Sequence, residues 1–252
     1  MSPRPMVVIT NDDGVRAPGI LALARAMRAV ADVAVVAPES EQSSTSHALT
    51  LHRPLRLREH GEGVWSLDGT PADCTYVALR LREVVPRAPD LVLSGINMGS
   101  NLGNDVFYSG TVAGAREAAL RGVPGVAFSM PGDGDARRWS LRARALVQRL
   151  LSRSVSAAGQ PAPLLNVNFP AGPAKGVRVC SLGVREYDDV VDLRRDPRGK
   201  RYLWLGGPNV RHPEVPGSDT EGFEQGYVTV TALRLDLTLP DQDAARAMAG
   251  RR

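Results

Sequence analysis

Asp12 and Asp13 stand side by side after the apolar run Met6-Val7-Val8-Ile9 and are followed at once by Gly14. Ser43 lies in a polar stretch after a second apolar run, Val33 to Ala37, and Asn97 in a loop after a third, Asp90 to Ser94. Two adjacent carboxylates, a hydroxyl and an amide carbonyl are hard oxygen donors, which suit Mg²⁺ or Mn²⁺ better than zinc. Each residue also has a plain local reading. Asp12 and Asp13 can simply make the turn before Gly14, Ser43 can decorate a loop, and Asn97 can bond its own backbone. The case for a site is positional: all four fall just beyond the carboxyl ends of successive strand-like runs. Ser109-Gly110-Thr111 adds two hydroxyls and an approachable glycine backbone at the start of an Ala-rich segment, a common way to hold phosphate at a helix N-terminus. Ser109 alone reads equally well as an N-cap. Asn101 and Asn104, set among Gly99 and Gly103, either extend such a cradle or tolerate left-handed backbone.

The elements that must position these residues alternate. A strand at Met6–Ile9 leads through the acidic loop into a helix from Pro18 to Ala31, with Pro18 suited to the first turn and Ile20, Leu21, Leu23, Ala24 and Met27 at helical spacing. Val33–Ala37 lacks polar alternation, as a strand covered on both faces requires. Short strands at Leu55–Arg58 and Val64–Leu67 precede a helix from Pro71 to about Val84, with Asp73 in its first turn. Further strands are expected at Asp90–Ser94, Gly125–Met130 and Leu164–Phe169, with helices at Ser109–Arg121 and Trp139–Ser152. This order predicts an α/β fold, a doubly wound and mostly parallel Rossmann-like sheet whose ligands bind at the carboxyl edge of the strands.

From Tyr187 the texture changes. Asp188 to Gly226 is rich in Arg, Pro, Gly and Asp, with Tyr202-Leu203-Trp204-Leu205 as its apolar core. A structureless loop of that length is improbable in a compact domain, so it is expected to form an arm ordered by a partner subunit. Tyr227–Ala232 and Leu233–Leu239 read as late strands, for which a hairpin is one available pairing. The expected organisation is one domain over 1–252, with a core at about 5–185 and the arm and late strands at about 186–240.

Composition removes other classes. The chain has 252 residues with 43% hydrophobic and 23% charged side chains, ordinary globular usage. No apolar run reaches the roughly 20 residues of a membrane span, and no long apolar h-region follows Met1. A cytoplasmic setting without membrane contact is expected. The two cysteines, Cys74 and Cys180, form no CxxC pair. Formal charge is +4, and of 31 basic side chains only Lys175 and Lys200 are lysines, scattered without aromatic interleaving, so no nucleic acid partner is expected. No GxGxxG follows the first strand, and GxxxxGK[ST], HExxH and GxSxG are absent. The four histidines, His47, His52, His60 and His212, show no paired spacing and read as isolated surface residues.

Several runs then match a known pattern: Thr10-Asn11-Asp12-Asp13-Gly14, Ala17-Pro18-Gly19-Ile20, Val36-Ala37-Pro38, Gly69-Thr70-Pro71-Ala72-Asp73-Cys74, Ser94-Gly95-Ile96-Asn97, and Asn101 through Ala113 with its Tyr108-Ser109-Gly110-Thr111. In order and spacing, from about residue 6 to 130, the chain resembles the SurE family of survival-protein nucleotidases, and Gly226–Thr231 is similar to that family's late strand. The resemblance implies a 5′-nucleotidase that hydrolyses nucleoside 5′-monophosphates, with 3′-monophosphates and short polyphosphate as further substrates. It also implies one divalent cation per subunit and a C-terminal arm used in dimers or tetramers. Carried over residue by residue, the metal ligands fall on Asp12, Asp13, Ser43 and Asn97. Two departures stand out. The family's Arg-Ser-Gly-Ala-Ser reads Gln42-Ser43-Ser44-Thr45-Ser46 here, so choosing Ser43 over Ser44 rests on spacing from Ala37-Pro38, and a usual proline in the late strand is Ala232.

The implied reaction is direct attack of water on a phosphate monoester, with either Asp12 or Asp13 as general base. A covalent aspartyl-phosphate is disfavoured because no DxDxT signature is present. The rival from another class is a non-enzymatic phospho-receiver, which also places paired acids after its first strand. Such a domain needs about half this length and a lysine after a late strand, which is missing here.

Overall fold

The computed structural model describes residues 4–152, 161–188, 190–206 and 209–250. Strand β1 (Met6–Thr10) is buried at all five positions because helices cover both of its faces. Its side chains divide by the two-residue period of a strand: Val7 and Ile9 join one hydrophobic cluster, Met6 and Val8 the other. The chain continues through α1 (Pro18–Arg28), β2 (Asp32–Pro38), β3 (Leu57–Glu59), β4 (Val64–Leu67) and α2 (Pro71–Arg80) to β5 (Leu91–Met98). A 3₁₀ turn at Gly103–Phe107 leads into α3 (Gly110–Leu120), followed by β6 (Gly125–Met130), α4 (Ala136–Leu151), β7 (Leu164–Asn168) and β8 (Val177–Val179). The remainder comprises β9 (Glu186–Tyr187), β10 (Val191–Arg195), β11 (Arg201–Leu205), β12 (Val210–Arg211), α5 (Asp219–Glu224), β13 (Val228–Leu233) and α6 (Asp243–Met248).

Nine strands form one sheet in the order β3-β4-β2-β1-β5-β6-β7-β13-β8. The six from β4 to β7 are mutually parallel, whereas β3 and β13 run antiparallel to their inner neighbours. Helices α1 and α4 pack together on one face, α2 and α3 on the other. On the first face Trp139 stacks on Phe169 at 4.8 Å between ring centroids, and Phe169 on Phe128 at 5.8 Å. From β1 the chain builds outward through β2 and β4, then returns to lay β5 against the other side of β1. The carboxyl ends of β1 and β5 therefore flank the topological switch point, where a doubly wound sheet opens a crevice.

The local signals explain the boundaries. Pro18 and Pro71 begin their helices, and at α2 Thr70 and Asp73 form a reciprocal capping box. Helix α2 ends at Arg80, four residues short of the expected Val84, because Leu81 turns to extended backbone. Helix α4 starts earlier than Trp139 because Asp135 caps it, accepting from the N–H groups of Arg137 and Arg138. The early strand expected at Leu55–Arg58 lies at Leu57–Glu59.

The arm-like stretch resolves into two small antiparallel ladders, β9 with β12 and β10 with β11. Its final part is not arm: Ser218, Asp219 and Thr220 are buried against the main body. Asp219 accepts from the N–H groups of Gly103 at 3.0 Å and Gly183 at 2.7 Å. The late strands do not pair as a hairpin. Only β13 forms, between β7 and β8, and residues 234–239 are not strand. Helix α6 follows, a short exposed element with no apolar stripe buried to announce it.

Helix α3 sits unusually close to the sheet. A Cβ built on Gly125 in β6 would fall 2.1 Å from the carbonyl oxygen of Ala115, backbone that cannot step aside without moving the helix. Gly125→Ala is expected to destabilise the fold by about 3 kcal/mol through this overpacking, read as a lower denaturant midpoint.

Candidate active site

Asp12 follows β1 and is 5% exposed. It meets the first turn of α3. The N–H of Thr111 donates to Oδ2 at 3.0 Å, and the Thr111 hydroxyl donates to Oδ1. Gly110 permits this approach, since a Cβ there would stand 2.8 Å from the Asp12 Cβ. Burial pushes the Asp12 carboxyl up to about 6 despite the Thr111 bonds, and the neighbouring Asp13 charge pushes the same way. Asp13 is half-buried and also raised, chiefly by burial and further by Glu41, while the N–H of Met98 at 3.4 Å works against the rise. The charges that bear on both carboxyls are thus negative. Perturbed acids of this kind, set in a crevice, mark a candidate functional site.

The β2–β3 connection brings Ser43 to the same edge. The N–H of Gln42 donates to the backbone carbonyl of Asp12 at 2.7 Å, and the exposed Ser43 hydroxyl donates to Glu41 Oε1 at 2.7 Å. Asn97 closes the set from β5, beyond an irregularity in its pairing with β6 between Ser94 and Asn97. Its Nδ2 donates to the Gly99 carbonyl at 2.7 Å, which leaves Oδ1 as an unspent acceptor. Among the described residues no three His, Cys, Asp or Glu side chains form a metal cage. A cation here would take amide and hydroxyl oxygens besides the carboxylates, and the donor types present fit Mg²⁺ or Mn²⁺.

The phosphate-cradle residues are placed differently from one another. Ser109 is the N-cap of α3, its Oγ accepting from Val112 N–H at 3.1 Å, with its own hydroxyl hydrogen still to give. Thr111 has both donors turned to Asp12. Asn101 is buried in a polar knot: its Nδ2 donates to Ser129, its N–H to Asn168, and its carbonyl accepts from Asn166 and Asn168. Asn104 accepts from the N–H of Arg185 at 2.7 Å. Two participants were missed in the sequence. Glu41 is an acid in a serine-rich stretch, and Asn11 holds Gly14 through Nδ2 while its buried Oδ1 has no partner.

A doubly wound α/β sheet with a carboxylate pair and a helix N-terminus at its switch point belongs to the class of α/β proteins that bind ligands at the carboxyl edge of the strands. Its relatives narrow this class. Residues 7–189 match the family described as Survival protein SurE. The chain is 55% identical over 239 residues to the 5′-nucleotidase SurE of Sorangium cellulosum, covering 93% of this chain and 91% of that one. It is 46% identical over 234 residues to the protein of the same name from Syntrophotalea carbinolica, covering 92% of each. The crystal structure of the SurE protein from Aquifex aeolicus matches with a TM-score of 0.82 at 36% identity, covering 97% of this chain and all of that one. The chain belongs to the SurE family.

The raised Asp12 carboxyl has a consequence for stability. The folded state holds its proton up to about pH 6, whereas the unfolded chain releases it near 3.8. Stability from this group therefore falls as pH rises between those values and stays low above them, by up to about 3 kcal/mol. In Asp12→Asn the amide can accept from Thr111 N–H and donate to its hydroxyl, without the buried charge. In chelator-treated protein this variant is expected to melt above the parent near neutral pH and to lose that advantage below about pH 4, as calorimetry at the two pH values would record.

Proposed function

We propose that the chain is a metal-dependent 5′-nucleotidase, hydrolysing nucleoside 5′-monophosphates to nucleoside and inorganic phosphate, as the names of its relatives suggest. The observation that carries this reading is the buried Asp12 beside Asp13, with no cationic partner among the described residues and set against the N-terminus of α3 at the switch point. Asp12, Asp13, Ser43 and Asn97 hold one divalent cation, Mg²⁺ or Mn²⁺. When bound, that cation supplies charge neutralisation at the phosphoryl group and acidification of water. The Ser109 hydroxyl and the Gly110 N–H orient the phosphoryl oxygens beside Thr111, whose own donors hold Asp12, with the dipole of α3 favouring their charge. Asn101 keeps the intervening loop fixed on β6 and β7. Either Asp12 or Asp13 takes the proton of the attacking water. Terminal phosphoryl groups of 3′-monophosphates and short polyphosphate present the same oxygens and fall within the reading.

The assembly is a homodimer or homotetramer built through the arm. Its β10–β11 ribbon leaves Leu193, Leu203, Trp204 and Leu205 exposed, and an isolated two-stranded ribbon is marginal in water. No described helix is long and apolar enough to cross a membrane. Both cysteines are free and buried, in keeping with a cytoplasmic setting.

Three outcomes are expected. Hydrolysis of AMP stops in excess EDTA and returns with Mn²⁺ or Mg²⁺; full turnover in EDTA, after residual metal is checked, overturns the metal assignment. Asp12→Asn loses both metal affinity and turnover, whereas Ser109→Ala keeps metal affinity and loses about 1–3 kcal/mol of transition-state stabilisation, a split that metal titration and steady-state kinetics resolve. Sedimentation finds at least a dimer at low micromolar concentration, and Trp204→Asp shifts it to a smaller species.

A further inference from the structure

The connection that carries Ser43 has no regular structure of its own, so its shape depends on anchors. Ser46 reaches the backbone of the 3₁₀ turn and its exit, its Oγ donating to the Phe107 carbonyl and its N–H to that of Tyr108. Thr50 donates twice to Asp73 at the start of α2. One anchor is of another kind. His47 Nε2 lies 2.9 Å from Glu117 Oε2, and on the other carboxylate oxygen Arg121 Nε lies 2.6 Å from Oε1. The Glu117 side chain is only 3% exposed, and Arg121 is itself held over the Tyr76 ring at 4.2 Å.

Burial pushes the Glu117 carboxyl up, but the bonds from His47 and Arg121 outweigh it and hold it below the usual range. An ionised carboxylate only accepts, so Nε2 of His47 carries the hydrogen. Among the described residues this is the one side-chain hydrogen bond from the connection to α3. The same helix holds Asp12 through Thr111, two turns nearer its N-terminus.

We infer that His47 is a positioning residue, which through Glu117 seats the Ser43 loop on the helix that orients Asp12. The two halves of the site then share one rigid reference, and a loose loop would carry Ser43 away from the carboxylate pair. The inference rests on the reading of Ser43 as part of the site.

The test uses the full chain and the variants His47→Ala, His47→Gln, Ser43→Ala and the His47→Ala/Ser43→Ala pair. Three quantities are read: Mn²⁺ affinity by calorimetry, kcat and KM for AMP, and hydrogen exchange of residues 40–50. His47→Ala is expected to lower Mn²⁺ affinity or kcat roughly 10–100-fold, the usual range for a group that orients a ligand, and to speed exchange in 40–50 while the unfolding transition stays cooperative. Glutamine retains an amide donor toward Glu117 and is expected to recover most of the loss. Since His47 acts through Ser43, the double variant should be no worse than Ser43→Ala alone. Additive losses, or a His47→Ala protein with unchanged affinity, kcat and exchange, overturn the proposal while leaving the site intact. A Ser43→Ala protein equal to the parent removes Ser43 from the site and overturns both readings together.

Discussion

A carboxylate buried against the first turn of a helix is the constraint on which this architecture turns. Placing Asp12 there requires β1 to end at the switch point, α3 to aim its N-terminus at that end, and glycine at 110 and 125 to let the helix come close. Two donors from Thr111 and the helix dipole offset only part of the cost of taking the charge out of water, and the high Asp12 pKa records the remainder. The ionised carboxylate is thus locally unfavourable where the fold holds it, and any positive charge brought beside it would relieve that cost.

Glu117 on the same helix provides an internal control. It is as hidden from solvent as Asp12 though packed less deeply, its two oxygens face His47 and Arg121, and its carboxyl lies below the ordinary range where that of Asp12 lies above. One acid faces cations and the other faces only neutral donors and a second acid. Depth of packing and charged neighbours together set the two carboxyls apart: Glu117 has His47 and Arg121 against it, Asp12 has Asp13. Both carboxyls are tied to α3, so its seating on β6 governs the geometry of the whole edge.

Much of this was legible in the sequence because the signals are local. Continuous apolar runs announced the parallel strands, Pro18, Pro71 and Asp73 announced helix starts, and the strand ends picked out Asp12, Asp13, Ser43 and Asn97 as one edge. What escaped is carried by contacts between distant residues. Nothing near Thr111 says that its donors turn to Asp12, 99 positions away, and nothing near His47 says that Glu117 waits 70 positions on. His47 therefore looked like an isolated surface residue. The end of the chain misled for a different reason: Leu233–Leu239 has strand-like composition, but β13 is paired on both sides, by β7 and β8, so it offers no edge for the residues that follow to fold back on.

The position of β13 also fixes when the sheet can be finished. Strand β8 does not pair with β7; it joins the sheet through β13, which the ribosome delivers after the entire β9–β12 arm. During synthesis β7 therefore waits as an open edge while more than fifty residues, apolar ribbon included, emerge beyond it. The nascent chain passes through a stage in which an unpaired parallel edge and an exposed apolar hairpin coexist on one molecule. That interval, set by strand order alone, is when this protein is most open to mispairing and to chaperones.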